Sequence, residues 1–504
     1  MNRMRKFNSD FEALVQLQGD KPALVRIENP EEPVSFAQLL GLLDRHLAWF
    51  KEEGLVPGDC IGAVMPNSVE MIVLFLAAVR AGLKFAPLAC ETSVRELAAW
   101  TKITRPKLCI LGEQIPSTIA PAVSSAGLLA RRVRSDNKFA HLPETAAPLL
   151  KAGGAKLYLF TSGTTGAPKV IVMDADRLWS AGVAFMEANG IGIGAPFRIW
   201  NYLPHSYLGG LFNLGFIPLS VGGSAVVDET FNGKTLLSFW QTVERCEINS
   251  LWLVPSIVRG LVAMGDRTGR GGSKSIRSTI RVAFLGTAPI ELEVKQRFEE
   301  IFGIPLRENF ALSETTFISN ERDADAPFRS AGSAGRILDY VKVRMGRTEK
   351  SDDPRYDEIL VDTPFFADGY LGPDGNISIQ LVDGFFPTGD LGYIDSRGQL
   401  VVTGRSKDII KKGGYFVALR EIELLASTHS LVEEAVAVPV PHRFYGESYR
   451  LYVRFNSATD PARLGDVSAY IFSNLAKYKW PDGVELIEEF PRTASGKIRK
   501  FLLQ

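Results

Sequence analysis

The spacing of apolar positions over the first hundred residues alternates between helical and strand periods. Phe36, Leu39, Leu40, Leu43, Leu47 and Phe50 recur at the helical period behind Ser35, and Gly54 closes the run. Pro57, Gly58 and Asp59 turn the chain into a short apolar strand, Cys60 to Val64. A helix from about Asn67 to Gly82 leads to a strand at Phe85 to Leu88. Ser93 and Glu96 have capping-box spacing ahead of a third helix, and Leu108 to Leu111 is a further strand. Strands alternating with helices wind into a parallel sheet covered on both faces, which predicts a doubly wound α/β fold. From Gly112 to Leu150 the pattern fades and predicts no definite element.

Further along, Arg281 to Leu285 reads as a strand, and Leu391 to Val402 as a hairpin around Ser396, Arg397 and Gly398. Large apolar residues crowd the stretch from 200 to 260, including Trp200, Tyr202, Tyr207, Phe212, Phe216, Trp240, Trp252 and Val254. Sheet core is the ordinary reading of such a stretch, and an apolar substrate pocket is the sharper one. Gly265 to Ser273 predicts a surface loop. Gly404 to Asp408 has the composition of a linker. Beyond it a helix near Arg420 to Leu425, strands at Val436 to Val440 and Leu451 to Phe455, and a helix ending near Ala476 suffice for a separate small α+β domain.

Composition narrows the function classes. The 504 residues carry 57 basic and 57 acidic side chains, so no net charge draws the chain to nucleic acid or an anionic membrane. Cys60, Cys90, Cys109 and Cys246 lack metal-ligand spacing, which suits scattered core thiols in a reducing compartment. The basic N-terminus is followed by Asp10 and Glu12 with no apolar segment, and the longest apolar run, Met71 to Val79, is too short to span a bilayer. A soluble, cytoplasmic protein is expected.

The chemistry concentrates first in Tyr158 to Lys169. An apolar strand end gives way to Thr161, Ser162, Gly163, Thr164, Thr165 and Gly166, and the run closes on Lys169. Hydroxyls and freely approached backbone N–H groups hold phosphate oxygens, and a lysine adds mobile positive charge. The Gly163 to Lys169 spacing and Val170 depart from a Walker A loop. Four more segments have dual readings. Gly286, Thr287, Ala288 and Pro289 form a turn at a strand's carboxyl end, where open α/β sheets bind ligands. Glu308, Asn309, Phe310, Ala311, Leu312, Ser313 and Glu314 place an aromatic ring ahead of a carboxylate, a pattern that could stack a purine and hold magnesium or could simply start a helix. Asp390, in Phe386 to Asp390, could accept ribose hydroxyls or form an Asx-turn. Lys497 follows a small-residue turn near the C-terminus, where a side chain could swing into another domain's site or fray as a basic tail.

Taken in order, these segments resemble the adenylate-forming enzyme superfamily, which includes acyl-CoA synthetases, amino-acid adenylation domains and beetle luciferases. The resemblance runs from about Ser35 to Lys500. Thr161 to Lys169 is similar to the family's phosphate loop, Gly286 to Pro289 to its Gly-Gly-Ala-Pro turn and Phe310 to Glu314 to its Tyr-Gly-x-Thr-Glu motif. Gly332 to Arg336 resembles the Gly-Ser-x-Gly motif, Phe386 to Asp390 the Thr-Gly-Asp box, Gly404 to Asp408 the hinge and Pro491 to Lys497 the terminal Pro-x-x-x-x-Gly-Lys. The resemblance implies an ATP- and acid-binding domain over residues 1–403, a hinge at 404–408 and a mobile C-terminal domain over 409–504 that carries the catalytic lysine.

The implied chemistry is attack of a carboxylate on the α-phosphate of ATP, giving acyl-AMP and pyrophosphate, then transfer of the acyl group to CoA. The loop would hold the β and γ phosphates, Glu314 magnesium, Phe310 the adenine, Asp390 and Arg405 the ribose, and Lys497 the charge developing at the α-phosphate. Lys407 takes the hinge position, and Gly413 and Gly414 resemble the pair beside the pantetheine tunnel. Pro204 to Gly210 has the length of the family's Pro-x-x-His-x-x-Gly segment, with Tyr207 in the histidine's register and His205 two residues earlier; either could approach the substrate carboxylate. No acid stands between Trp200 and Val227 to bind an α-amino group, which favours a carboxylic acid with an apolar body. Two alternatives remain open at this level: loading of a carrier-protein phosphopantetheine, and a catalytically inactive nucleotide or acyl-adenylate binding protein.

Overall fold

The computed structural model describes residues 4–113, 115–125, 127–133, 139, 141–145, 154–161, 169–268, 278–288, 290–347, 353–372, 374–413, 415–456, 460–492 and 498–503, without the side chains of Thr161, Thr268 and Phe416. The predicted starts of the first helices are built as their capping residues require. Ser35 and Gln38 cap Phe36–Glu52 reciprocally, and Ser93 and Glu96 do the same for Val94–Thr104. Ser68, one residue past the expected Asn67, caps Val69–Arg80 by accepting the N–H of Met71. That helix is buried along its whole length, because it packs against strands of two different sheets. Its two charged residues are paired, Glu70 with Arg26 and Arg80 with Asp44.

Cys60–Val64 lies parallel between Lys84–Leu88 and Leu108–Leu111, as the β-α-β alternation predicts. The eight-stranded sheet they belong to continues through Lys156–Thr161 into two antiparallel neighbours, Lys169–Asp174 and Gly369–Leu371. A thirteen-stranded sheet carries a parallel run that ends in Ser250–Leu253, Val282–Leu285 and Leu306–Leu312. It then turns antiparallel through Thr316–Asn320, Ser333–Ile337, Gln399–Arg405 and Phe386–Ile394. The doubly wound part therefore grows an antiparallel wing, built from hairpins that need no crossover helix.

The stretch from 200 to 260 resolves in favour of sheet core: Trp200, Tyr202, Phe212, Phe216 and Trp252 are all buried in one continuous cluster. Two details differ from expectation. Gly209–Phe216 forms a π-helix, and Gly265 to Thr268 continue the helix Pro255–Thr268 instead of opening a loop; residues 269–277 lie outside the described residues. In the weakly patterned segment, Ile119–Ser125 is a helix and Leu129–Arg132 an edge strand.

A five-stranded sheet with its own apolar cluster, from Ile410 to Ile471, makes up the C-terminal part. Its central hairpin, Val432–His442 with Gly446–Phe455, is longer than the apolar runs suggested. Charged residues such as Glu433 and Arg450 extend it on the solvent face, where strand alternation accepts them. Among the described residues, no helix is long and apolar enough to cross a membrane.

Candidate active site

The thirteen-stranded sheet carries segments that are far apart in sequence. Strand Val282–Leu285 ends in the Gly286 turn, the next strand carries Glu308 to Leu312, and further along the same sheet Asp390 stands opposite Arg405. Gly286 is required by a close approach, since a Cβ there would lie 2.8 Å from Asn309 Oδ1. The buried Asn309 side chain donates 2.9 Å to the carbonyl of Leu285. Thr287 follows at φ 74° and Thr316 stands at φ 59°, both in the left-handed region that β-branched residues avoid. Such conformations cost on the order of 1–3 kcal/mol each and persist where the surroundings dictate them, often at functional sites.

Leu306–Leu312 and Thr316–Asn320 form a hairpin whose tip presents Ser313, Glu314 and Thr315. Glu314 is half-buried and accepts a hydrogen bond from the Tyr370 hydroxyl, and its carbonyl accepts the N–H of Ala367 at 2.7 Å. Burial, together with the charge of Glu314, pushes the Tyr370 hydroxyl above its usual range, so it stays protonated and donates. The ring of Tyr370 also lies beneath the ammonium of Lys169, 5.2 Å from its centroid. Tyr370 belongs to the eight-stranded sheet, paired with Ile171, so it joins the two sheets at the point where Lys169 and Glu314 converge. Thr161 pairs with Lys169 across the hairpin that the phosphate-loop segment connects. Ser162, Gly163, Thr164, Thr165 and Gly166 lie outside the described residues, as do Pro289, Gly414 and Lys497.

Asp390 is buried and takes a 2.8 Å hydrogen bond from Arg405 Nε, the residue directly across the strand pair. Its backbone is held as well: Thr388 Oγ1 accepts the N–H of Asp390 at 3.0 Å, and Glu358 accepts that of Gly389 at 2.9 Å. Phe310 is partly buried against the main core, and Ala311 is exposed. The Glu308 carboxylate faces Lys295, 3.1 Å away, and burial pushes its pKa up to about 7. Glu308 and Asn309 thus support the strand through their side chains, and the open edge belongs to the residues that follow them.

The two candidates between Pro204 and Gly210 separate clearly. His205 is buried, its N–H donates 2.8 Å to Asn67 Oδ1, and its Nδ1 faces the N–H of Ser68 at 3.4 Å. Burial lowers its imidazole to about 3, so it is neutral. His205 therefore pins the segment to the start of helix Val69–Arg80. Tyr207 remains half-exposed and packs beside Gly209. Gly210 admits no side chain, because a Cβ would lie 2.4 Å from the carbonyls of Leu203 and Pro204.

Lys407 lies in the turn Ser406–Asp408 that leads out of strand Gln399–Arg405, and desolvation and the charge of Arg405 lower its pKa. Gly413 has φ 57° and sits over Tyr445, whose ring a Cβ would meet at 3.0 Å. The Gly332 to Arg336 segment is structural. A Cβ on Gly335 would lie 2.2 Å from the backbone of Asn320 and Glu321, so the neighbouring strand requires a glycine there.

Sequence reasoning missed Tyr370. It lies in a three-residue strand, Gly369–Leu371, too short to give a period, and only the sheet pairing brings it to Glu314. Lys295 was missed too, although its place on the apolar stripe with Phe298 and Phe302 is visible in the helical period.

Comparison with known proteins places the chain in a family. Residues 11–371 match the AMP-binding enzyme family and residues 421–497 the AMP-binding enzyme C-terminal domain. The sulfoacetate–CoA ligase of Cupriavidus necator is 29% identical over 89% of this chain and 88% of its own length. The indoleacetate–CoA ligase of Aromatoleum aromaticum is 29% identical over 96% of this chain and 95% of its own. The crystal structure of ATP-bound MatB from Rhodopseudomonas palustris superposes with a TM-score of 0.84 at 26% identity, covering 98% of this chain and 97% of that one.

Proposed function

The chain belongs to the AMP-binding enzymes, and from that premise we propose that it is an ATP-dependent acid:thiol ligase making an acyl- or aryl-CoA. The reaction has two halves. A carboxylate oxygen attacks the α-phosphorus of ATP and pyrophosphate leaves, which gives acyl-AMP. The thiol of CoA then gives up its proton to solvent, its sulfur bonds to the acyl carbon, and the bond from that carbon to the phosphate oxygen breaks as AMP leaves. The acid has an apolar body; the related ligases act on acids as different as sulfoacetate and indoleacetate, so likeness alone does not name it.

The observation that carries this reading is the convergence of Lys169, Tyr370 and Glu314 where the two sheets meet. The hydroxyls and glycines of the segment from Thr161 to Gly166 are of the types that bind anionic phosphates, and Lys169 adds positive charge beside Tyr370. Thr287 and Ala288 with Phe310 to Ser313 form the edge for the adenine, and Asp390 with Arg405 holds the ribose hydroxyls. Among the described residues no group of three acidic, His or Cys ligands converges, and one Glu314 oxygen is taken by Tyr370. Glu314, a half-buried carboxylate at the hairpin tip, is the residue that would hold a magnesium ion. Magnesium supplies charge neutralisation on the phosphates. Tyr207 faces the substrate carboxylate, while His205 stays behind it as a support.

Lys497 stabilises charge at the α-phosphate in the first half-reaction. Rotation of residues 409–504 about residues 404–408 at Lys407 then withdraws it and brings Gly413 and Gly414 to the thiol path. Product formation with CoA and with a holo carrier protein, measured side by side, tests the acceptor. Thioester with CoA and none on the carrier supports this reading, and the reverse assigns the enzyme to carrier-protein loading.

A further inference from the structure

Helix Leu292–Phe302 turns Phe298 and Phe302 into the core, and Lys295 lies on the same stripe with 1% of its surface exposed. Its ammonium is 3.1 Å from Glu308 Oε2 and 2.5 Å from Glu321 Oε2. Glu321 is fully buried; its carboxylate also accepts the N–H of Glu308 at 2.9 Å and lies 3.1 Å from Arg329 Nε. Arg329 in turn holds Glu299 at 2.7 Å.

The location of these charges matters more than their number. Asn309 pairs with Asn320 in the hairpin, so Glu308 and Glu321 stand one step outside that pair, at the open base of the hairpin. The tip of that hairpin is Glu314. The N–H of Glu321 donates 2.8 Å to the carbonyl of Glu308, closing the base. Above about pH 7, where Glu308 is ionised, the two carboxylates from opposite legs repel one another, and Lys295 is the cation that stands between them. An apolar residue at position 295 would fill the stripe without desolvating charge, and buried ion pairs of this kind contribute specific geometry more than stability.

We propose that Lys295 is a positioning residue for the adenylation step, clamping the base of the hairpin so that Glu314 is held at its tip against Tyr370. This rests on the assignment of Glu314 to magnesium. Without the clamp the legs separate at Glu308 and Glu321 and the tip loses its fixed position, a displacement to which catalytic groups are sensitive.

The test compares Lys295→Met, Lys295→Met/Glu321→Gln and Glu314→Gln with the unmodified protein. Three quantities are read: the magnesium dependence of acid-dependent ATP–pyrophosphate exchange, the KM for the acid, and amide hydrogen exchange across residues 306–321 in the nucleotide-free protein. Lys295→Met should raise the magnesium concentration for half-maximal rate about tenfold, leave the KM for the acid within about twofold and speed amide exchange between residues 309 and 320. The double variant removes the repulsion together with the cation and should recover much of both effects; it also serves if Lys295→Met does not fold.

A folded Lys295→Met with unchanged magnesium dependence, alongside a Glu314→Gln that does change it, overturns the clamp. Failure of Glu314→Gln to alter the magnesium dependence overturns the role of Glu314 instead. Hydrogen exchange then decides the clamp alone: faster exchange at the hairpin supports it and unchanged exchange refutes it.

Discussion

Replacing Tyr370 with Phe removes one oxygen from the place where the two sheets meet. The ring remains beneath Lys169, 5.2 Å from its ammonium, so the packing and the cation–π contact survive. What disappears is the hydroxyl that donates to Glu314. A hydrogen bond to a charged acceptor contributes about 1.5–3 kcal/mol. Glu314 is only half-buried, so the lower end applies: about 1.5 kcal/mol, or roughly tenfold in kcat/KM for ATP. The loss should appear in acid-dependent pyrophosphate exchange and be largest at limiting magnesium, because the freed carboxylate must be reoriented before it can bind the ion. Thermal stability should barely change. An exchange rate within twofold of the unmodified protein at every magnesium concentration would refute the idea that Tyr370 orients Glu314.

Three other predictions concern Asp390, Lys497 and Glu308. Asp390→Asn keeps the shape but loses the charge facing Arg405, and should raise the KM for ATP by roughly 10- to 100-fold, checked by initial rates at saturating acid. Lys497→Ala should slow pyrophosphate exchange by about 100-fold or more while ATP affinity, measured by calorimetry, changes little. Glu308 bears on pH: burial raises its folded pKa from the ordinary 4.5 to about 7, so the folded state binds the extra proton. The stability this contributes is fully present below about pH 4.5 and is lost as pH rises through 7, on the order of 1–3 kcal/mol in all. Glu308→Gln should therefore gain melting temperature relative to the unmodified protein between pH 5 and pH 8; a constant difference across that range contradicts the assignment.

The parallel core was legible because helical and strand periods alternate cleanly there. Ser35, Ser93 and the strand Cys60–Val64 stand where the pattern puts them. The site motifs were legible through residue type and order, which also marked Glu314, Asp390 and Arg405. What remained hidden depends on pairing between distant strands. Tyr370 becomes a partner of Glu314 only because Gly369–Leu371 joins the eight-stranded sheet beside Lys169–Asp174. Register favoured Tyr207 over His205, but the burial of His205 against Asn67 and Ser68 could not be read from spacing. The Lys295 clamp was half visible: a lysine on an apolar stripe is an anomaly in the sequence, but its two partners come from the legs of a hairpin.

The central claim is acid activation through an acyl adenylate. The most direct measurement incubates the protein with ATP, magnesium and a panel of aliphatic and aromatic acids, traps activated acyl groups with hydroxylamine and follows the nucleotide products. Hydroxamate together with AMP and pyrophosphate is expected for at least one acid in the absence of CoA, and thioester when CoA is added. Formation of ADP and phosphate, or no acid-dependent product across the whole panel, would contradict it.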